Sequence, residues 1–243
     1  MIRLTLERST MQTCWIIGGG CYGSSYLRQF RKAALRGKMP KTRWVVLDRN
    51  PDCQATLEIR PEDPLEFIFG EWEDILLQSF SNNKIEQNDL IIPSPFQGPL
   101  IFNWLKKEAD LVDRVMLPIQ LPEIGGGLLY EKLGADKLTR YSSFADWVCP
   151  PFCIEPQICP VTKGLKSWDM RDLISNYAVE KNIMKTYFFV CLHWIYGVGG
   201  MPADAFLKAR SFVREGPPGD FLISSMSTCH GATSAWNLSN NSN

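Results

Sequence analysis

Three cysteines fall within eleven residues, Cys149, Cys153 and Cys159, at C-x3-C-x5-C spacing. Thiols gathered this closely bind a metal, hold an iron–sulfur cluster or exchange a disulfide. Pro150, Pro151, Pro156 and Pro160 are interleaved with them. Proline forbids a regular helix or an inner strand, so the segment is a stiff loop that can hold three sulfurs around one centre. A closed site takes a fourth ligand. The run Ser227-Thr228-Cys229-His230-Gly231 offers two, Cys229 and His230. Zinc and an iron–sulfur cluster both accept this set. The spacing follows neither C-x2-C nor the ferredoxin runs, and a mixed Cys/His set leans toward zinc. The competing reading is that these are buried free cysteines, packed as small hydrophobes. Glu155, inside the loop, reads as a ligand, a proton acceptor or a solvated side chain.

A second chemistry lies near the start. The apolar run Cys14-Trp15-Ile16-Ile17 breaks into Gly18-Gly19-Gly20-Cys21-Tyr22-Gly23, which is G-x-G-x-x-G. A helix-compatible stretch follows, then Trp44-Val45-Val46-Leu47 ending in Asp48. Strand, glycine turn, helix, strand and acid in this order form a dinucleotide fingerprint. Gly18 makes the tight turn, Gly20 admits the pyrophosphate and Gly23 lets helix and strand pack closely. The helix N-terminus offers N–H groups to the phosphates, and Asp48 suits a ribose diol. Cys21 lies inside the turn, as a fitting small residue or a thiol made acidic by the helix terminus. Asp48 points to NAD, while Arg49 beside it leaves NADP open. The distance from Gly23 to Asp48 exceeds the usual ~20 residues, so Gly37 and Pro40 mark a lengthened turn. The competing reading is a glycine turn that binds nothing.

Other residues carry less. Cys14, Cys53 and Cys191 sit beside apolar runs and read as packing. His193, between Leu192 and Trp194, reads as a core or strand-end residue. Tyr196–Pro202 resembles another phosphate- or substrate-hugging loop but lacks the Lys-Ser/Thr of a P-loop. Tyr177 and Lys181 match Y-x3-K by chance, and no catalytic set is evident.

The elements that must position these groups alternate in the first half. Strands are expected at Thr13–Ile17, Arg43–Leu47, Leu65–Phe69, Asp89–Ile92 and Val112–Ile119. Helices are expected after Trp72 and through Leu100 to Leu105. That is an α/β pattern, a doubly wound and mainly parallel sheet. Further strands are expected at Ala145–Val148, Tyr187–Leu192 and Phe221–Ser225, with helices at Met170–Tyr177 and Ala203–Val213. One continuous sheet is the preferred arrangement. The stretch from Gly125 to Tyr141 reads as a short helix on a mobile loop. In such a sheet the glycine turn, the cysteine loop and Cys229-His230 would gather at one carboxyl edge.

At 243 residues the chain fits one large domain or two small ones. The expected division is 11–122 for the dinucleotide-binding domain and 123–238 for an α/β extension with the cysteine loop, with flexible ends at 1–10 and 239–243. Net charge is zero, so nucleic acid is not expected as a partner. No apolar run reaches the ~18 residues that span a bilayer. Without a secretory leader, the eight cysteines suit a cytoplasmic protein with metal or redox chemistry.

Ile16–Gly23 and Val45–Pro51 resemble the nucleotide-binding Rossmann domains of potassium-transport regulators and of many dehydrogenases. The resemblance covers about the first half of the chain. It implies pyrophosphate binding at Gly18, Gly20 and Gly23 and ribose binding at Asp48. That family has no cysteine loop, so its regulatory role does not transfer. The expectation is therefore an NAD(H)-binding redox protein with a cysteine-held metal centre beside the nucleotide site: an NAD(P)-dependent oxidoreductase or a redox accessory subunit, partnered by a redox protein or by its own copies. The alternative is a non-catalytic nucleotide sensor or scaffold with structural zinc.

Overall fold

The computed structural model describes residues 13–93, 98–150 and 153–241. The expected flexible lead at 1–10 and the last residues, Ser242 and Asn243, lie outside these. In chain order the elements begin with β1 (Thr13–Ile17), α1 (Cys21–Leu35), β2 (Arg43–Asp48), β3 (Leu65–Phe69), α2 (Trp72–Ser81) and β4 (Leu90–Ile92). Next come α3 (Gly98–Asp110), β5 (Arg114–Ile119), β6 (Tyr130–Leu133) and β7 (Arg140–Ser143). After the cysteine loop follow α4 (Met170–Glu180), β8 (Lys185–Val190), β9 (Leu192–Ile195), β10 (Val198–Pro202), α5 (Ala203–Glu215), β11 (Gly219–Met226) and β12 (His230–Asn240). The chain is mixed α/β, with two mixed sheets and five helices among the described residues. It divides into two compact units, one drawn from Met1–Pro95 with Trp194–Asp204, the other from Phe96–His193 with Ala205–Asn243. Among the described residues no helix is long and apolar enough to cross a membrane.

The first sheet runs in the order β3-β2-β1-β4-β10-β9. β1 pairs in parallel with β2 and β4, and β2 with β3. These strands are Val/Ile/Leu-rich, and β1 is buried along its whole length, as a strand covered on both faces must be. Phe30 and Leu27 of α1 are fully buried against this sheet, among Ile16, Val46 and Ile92. The Asp89 carboxylate, buried before β4, accepts from Thr13 N, Trp15 Nε1 and Glu86 N, each at 3.0 Å. It thereby ties β1 to the start of β4, and burial raises its pKa. The last two strands form a hairpin rather than a ligand-hugging loop. Tyr196 (φ 47°) and Gly197 (φ 79°) both take left-handed conformations, as a two-residue type I′ turn requires. Gly200 of β10 lies against Leu90, where an added Cβ would stand 2.4 Å from the Leu90 side chain.

The second sheet corrects the expectation of one continuous, mainly parallel sheet. Its order is β6-β7-β12-β11-β8, with β5 also on β12. Among the described residues only β11 and β8 run parallel there; β12 is antiparallel to β11, β5 and β7. β5 was expected in the first sheet, but Arg114–Ile119 pairs with β12 from Ala235 to Asn240. β12 itself was read in part as a polar, flexible tail, although Ser239 and Asn240 are strand residues. Its polar positions are satisfied internally: Ser224 Oγ meets Thr233 Oγ1 at 2.7 Å, and Trp236 Nε1 donates to Ser234 Oγ at 2.6 Å. A fully buried carboxylate, Glu108, joins α3 to α5 through Arg210 (2.9 Å) and Arg214 (3.0 Å).

Two local expectations also fail for visible reasons. Gly125, Gly126 and Gly127 all have positive φ (68°, 70° and 80°), which bars a right-handed helix. The loop is instead held by Glu131, whose carboxylate accepts from Ile124 N and Gly125 N, and it leads into the β6–β7 hairpin. Ala145–Val148 is not a strand. Ser143 Oγ turns back to bond both the N–H and the C=O of Ala145 at 2.8 Å, and β7 stops there.

Candidate functional site

The glycine turn sits between β1 and α1, in the first unit. Gly18 takes φ 92°, a conformation few side chains tolerate, and its N–H bonds Leu47 O at 2.7 Å. At Gly23 an added Cβ would lie 2.0 Å from Gly18 O, so the close packing expected of this glycine is present. At Gly20 no described residue lies within 4 Å of such an atom, and Gly20 is exposed. It caps α1 with no side-chain hydrogen bond, and the first turn holds no acidic residue. Cys21 is the first residue of α1 and is exposed. Asp48 ends β2, 9 % exposed, and its two oxygens accept from Gly19 N (2.5 Å) and Asn50 N (2.8 Å). Its carboxylate thus shapes the turn as well as facing its rim. Arg49 lies over the Trp72 ring and pairs with Glu71 at 2.8 Å.

The cysteines belong to the second unit. Cys149, Cys153, Cys159, Cys229 and His230 line one cavity of about 160 Å³, with Glu155, Lys166 and Trp168. Two segments bring them together. The loop from Cys149 to Cys159 supplies three thiols, and the tight connection from β11 to β12 supplies Cys229 and His230. That connection closes with Ser227 N bonding His230 O at 2.9 Å. The antiparallel register of β7 and β12 sets Ser143 opposite His230.

This register orients the imidazole. Ser143 Oγ stands 2.9 Å from His230 Nδ1 and gives its single proton to the Ala145 carbonyl. The network therefore assigns the proton in the Ser143–His230 contact to Nδ1, and Nε2 faces the cavity unprotonated. Nε2 lies 3.8 Å from Cys149 Sγ. A ring nitrogen anchored behind and bare in front is the usual posture of a metal-binding histidine.

Each of the other three sulfurs has hydrogen-bond donors. Glu155 N donates to Cys153 Sγ at 3.4 Å. Trp168 Nε1 donates to Cys229 Sγ at 3.4 Å, and Lys166 Nζ stands 3.9 Å from the same atom. Trp168 is held in turn by stacking on Phe144, with ring centroids 5.8 Å apart. Hydrogen bonds from the Thr162 backbone and hydroxyl lower the Cys159 pKa. Burial raises Cys149, reinforced by the neighbouring charges of Cys153, Cys159 and Glu155. Burial also raises Cys229, opposed by the Trp168 hydrogen bond. Desolvation lowers the His230 pKa, with Glu155 opposing.

Glu155 joins the two segments. Its carboxylate accepts from Ser227 Oγ (2.6 Å) and Thr228 N (2.8 Å), and its carbonyl accepts from Lys166 Nζ (2.7 Å). It does so at φ 48°, a left-handed conformation that costs a non-glycine residue about 1 kcal/mol or more.

The expected metal set thus shares one cavity, but the expected single sheet edge does not exist. The glycine turn belongs to the first sheet and the cysteine cavity lies beside the second. Among the described residues, no three His, Cys, Asp or Glu side chains stand close enough together to hold a metal ion. Sequence reasoning missed Ser143, Lys166 and Trp168. None belongs to a motif, and only the strand register and the folded loop bring them to the sulfurs. Cys14 and Cys53 are buried, as expected of packing residues, whereas Cys191 is half-buried; burial pushes its pKa up to about 12. Among the described residues, neither ring nitrogen of His193 meets a hydrogen-bond partner, and burial lowers its pKa.

Comparison with curated proteins found no match, and none was found among solved structures. One family model, described as "Uncharacterized protein, C-terminal domain", matches residues 101–239, more than half of the chain. The chain belongs to this family, AF_1314_C.

Proposed function

We propose that this chain is an NAD(H)-binding redox protein whose second unit holds a thiolate-ligated metal centre. The observation that carries the reading is the cavity itself: four cysteines and an imidazole on two separate segments face one space. Cysteines that serve only as packing do not need N–H donors aimed at their sulfurs. Here Cys153, Cys159 and Cys229 have them. Such donors stabilise thiolates and are the outer layer that a metal centre uses. Binding would release the thiols' protons, and His230 Nε2 is placed to take the proton of Cys149. The family match covers every residue of this cavity and none of the glycine turn.

The dinucleotide half of the reading rests on the first unit. Its strand order β3-β2-β1-β4 follows the first four positions of the Rossmann order, which supports the reading. The uncapped start of α1 and the open space at Gly20 suit a phosphate. The alternative, a sensor or scaffold with structural zinc, is favoured by one observation. Asp48 and Arg49 are already engaged within the chain, so the turn holds its shape without a ligand.

Metal analysis of the purified full chain beside a Cys153→Ser/Cys229→Ser double variant tests the metal centre. The wild type is expected to carry about one centre per chain, and the double variant to lose it while keeping its far-ultraviolet dichroism. Equal metal content in the two would remove the cavity from consideration.

A further inference from the structure

Resting on the metal-centre reading above, we infer that the cavity takes an iron–sulfur cluster rather than a single zinc ion, held by Cys149, Cys153, Cys159 and Cys229. The geometry of the two cofactors differs. A zinc ion bonded at about 2.3 Å to four sulfurs draws them to about 3.8 Å from one another and leaves no space between. A cluster interposes its own iron and sulfide, so its cysteines stand back around a void. This chain offers room for the second: four cysteines line a cavity of about 160 Å³, and among the described residues no three His, Cys, Asp or Glu side chains stand close enough together for a single ion.

The ligand count agrees. Four thiols suffice for a cluster, and an all-sulfur set is the usual one. His230 is then left over, beside Cys149 rather than in its place. Lys166 is also accounted for. Four thiolates with a cluster core carry net negative charge, and the Lys166 ammonium lies 3.9 Å from Cys229 Sγ. Together with the Trp168 and Glu155 N–H groups it places donors on the ligand sulfurs, the means by which a protein raises a cluster's reduction potential.

The test is anaerobic purification of the full chain, with iron, acid-labile sulfide and zinc measured and a visible spectrum recorded before and after dithionite. The expected result is iron and sulfide in equal amounts, about two or about four of each per chain, and a visible absorption bleached on reduction. Each single Cys→Ser change at 149, 153, 159 and 229 is expected to diminish that absorption, whereas Cys191→Ser retains it. One equivalent of zinc in a colourless protein that stays colourless after reconstitution with iron and sulfide overturns the cluster and leaves the metal centre standing. Neither metal bound by a protein with normal far-ultraviolet dichroism overturns both.

Discussion

Glu155 shows how much one residue can organise. Its side chain fastens the Cys229 turn, its N–H reaches Cys153 and its carbonyl holds Lys166. Removing the carboxylate leaves the N–H of Thr228 and the hydroxyl of Ser227 without their acceptor and frees one ligand segment from the other. Glu155→Ala is therefore expected to weaken metal affinity by about 10–100-fold, the range typical of residues one layer behind the ligands. Glu155→Gln, which keeps an acceptor oxygen, is expected to recover part of it. Chelator competition reads both, and an affinity unchanged in Glu155→Ala would show that the two segments are held by other means. At this scale the sequence was partly legible. The thiols and His230 announce themselves by type and spacing. The role of Glu155 does not, because it depends on a left-handed backbone that places a side chain and an N–H on opposite tasks.

Elements explain which expectations held. β1, β2, β3 and α1 were readable because apolar runs separated by Gly18–Gly23 and by Gly37 leave few alternatives. β12 was not, since its Ser, Thr, Asn and Ala residues look like a solvated tail until Ser224 and Ser234 are seen bonding within the sheet. Missing that strand hid the partner of β5 and produced the single-sheet expectation. The glycine turn allows a contrast of two substitutions. In Gly23→Ala the new methyl meets Gly18 O, so β1 and α1 amides are expected to lose about 1–3 kcal/mol of hydrogen-exchange protection. Gly20→Asp fills open space and can cap α1, so protection is expected to persist. Its carboxylate would repel a pyrophosphate, and NADH binding, followed by fluorescence titration, is expected to vanish. Unchanged NADH binding in Gly20→Asp would leave the turn a structural feature only.

At the scale of the whole molecule, the glycine turn lies in the first unit and the cysteine cavity in the second. The sequence already set the turn and the cysteines in separate stretches; which strands join which sheet was not legible, because that is set by pairing between segments far apart in the chain. The proposed metal centre rests on sulfur ligands from this cavity. X-ray absorption at the edge of whichever metal accompanies the purified chain tests it most directly. A first shell dominated by sulfur at about 2.3 Å, and lost in Cys153→Ser/Cys229→Ser, is the expected result. A shell of oxygen and nitrogen alone, near about 2.0–2.2 Å and the same in the double variant, would contradict it.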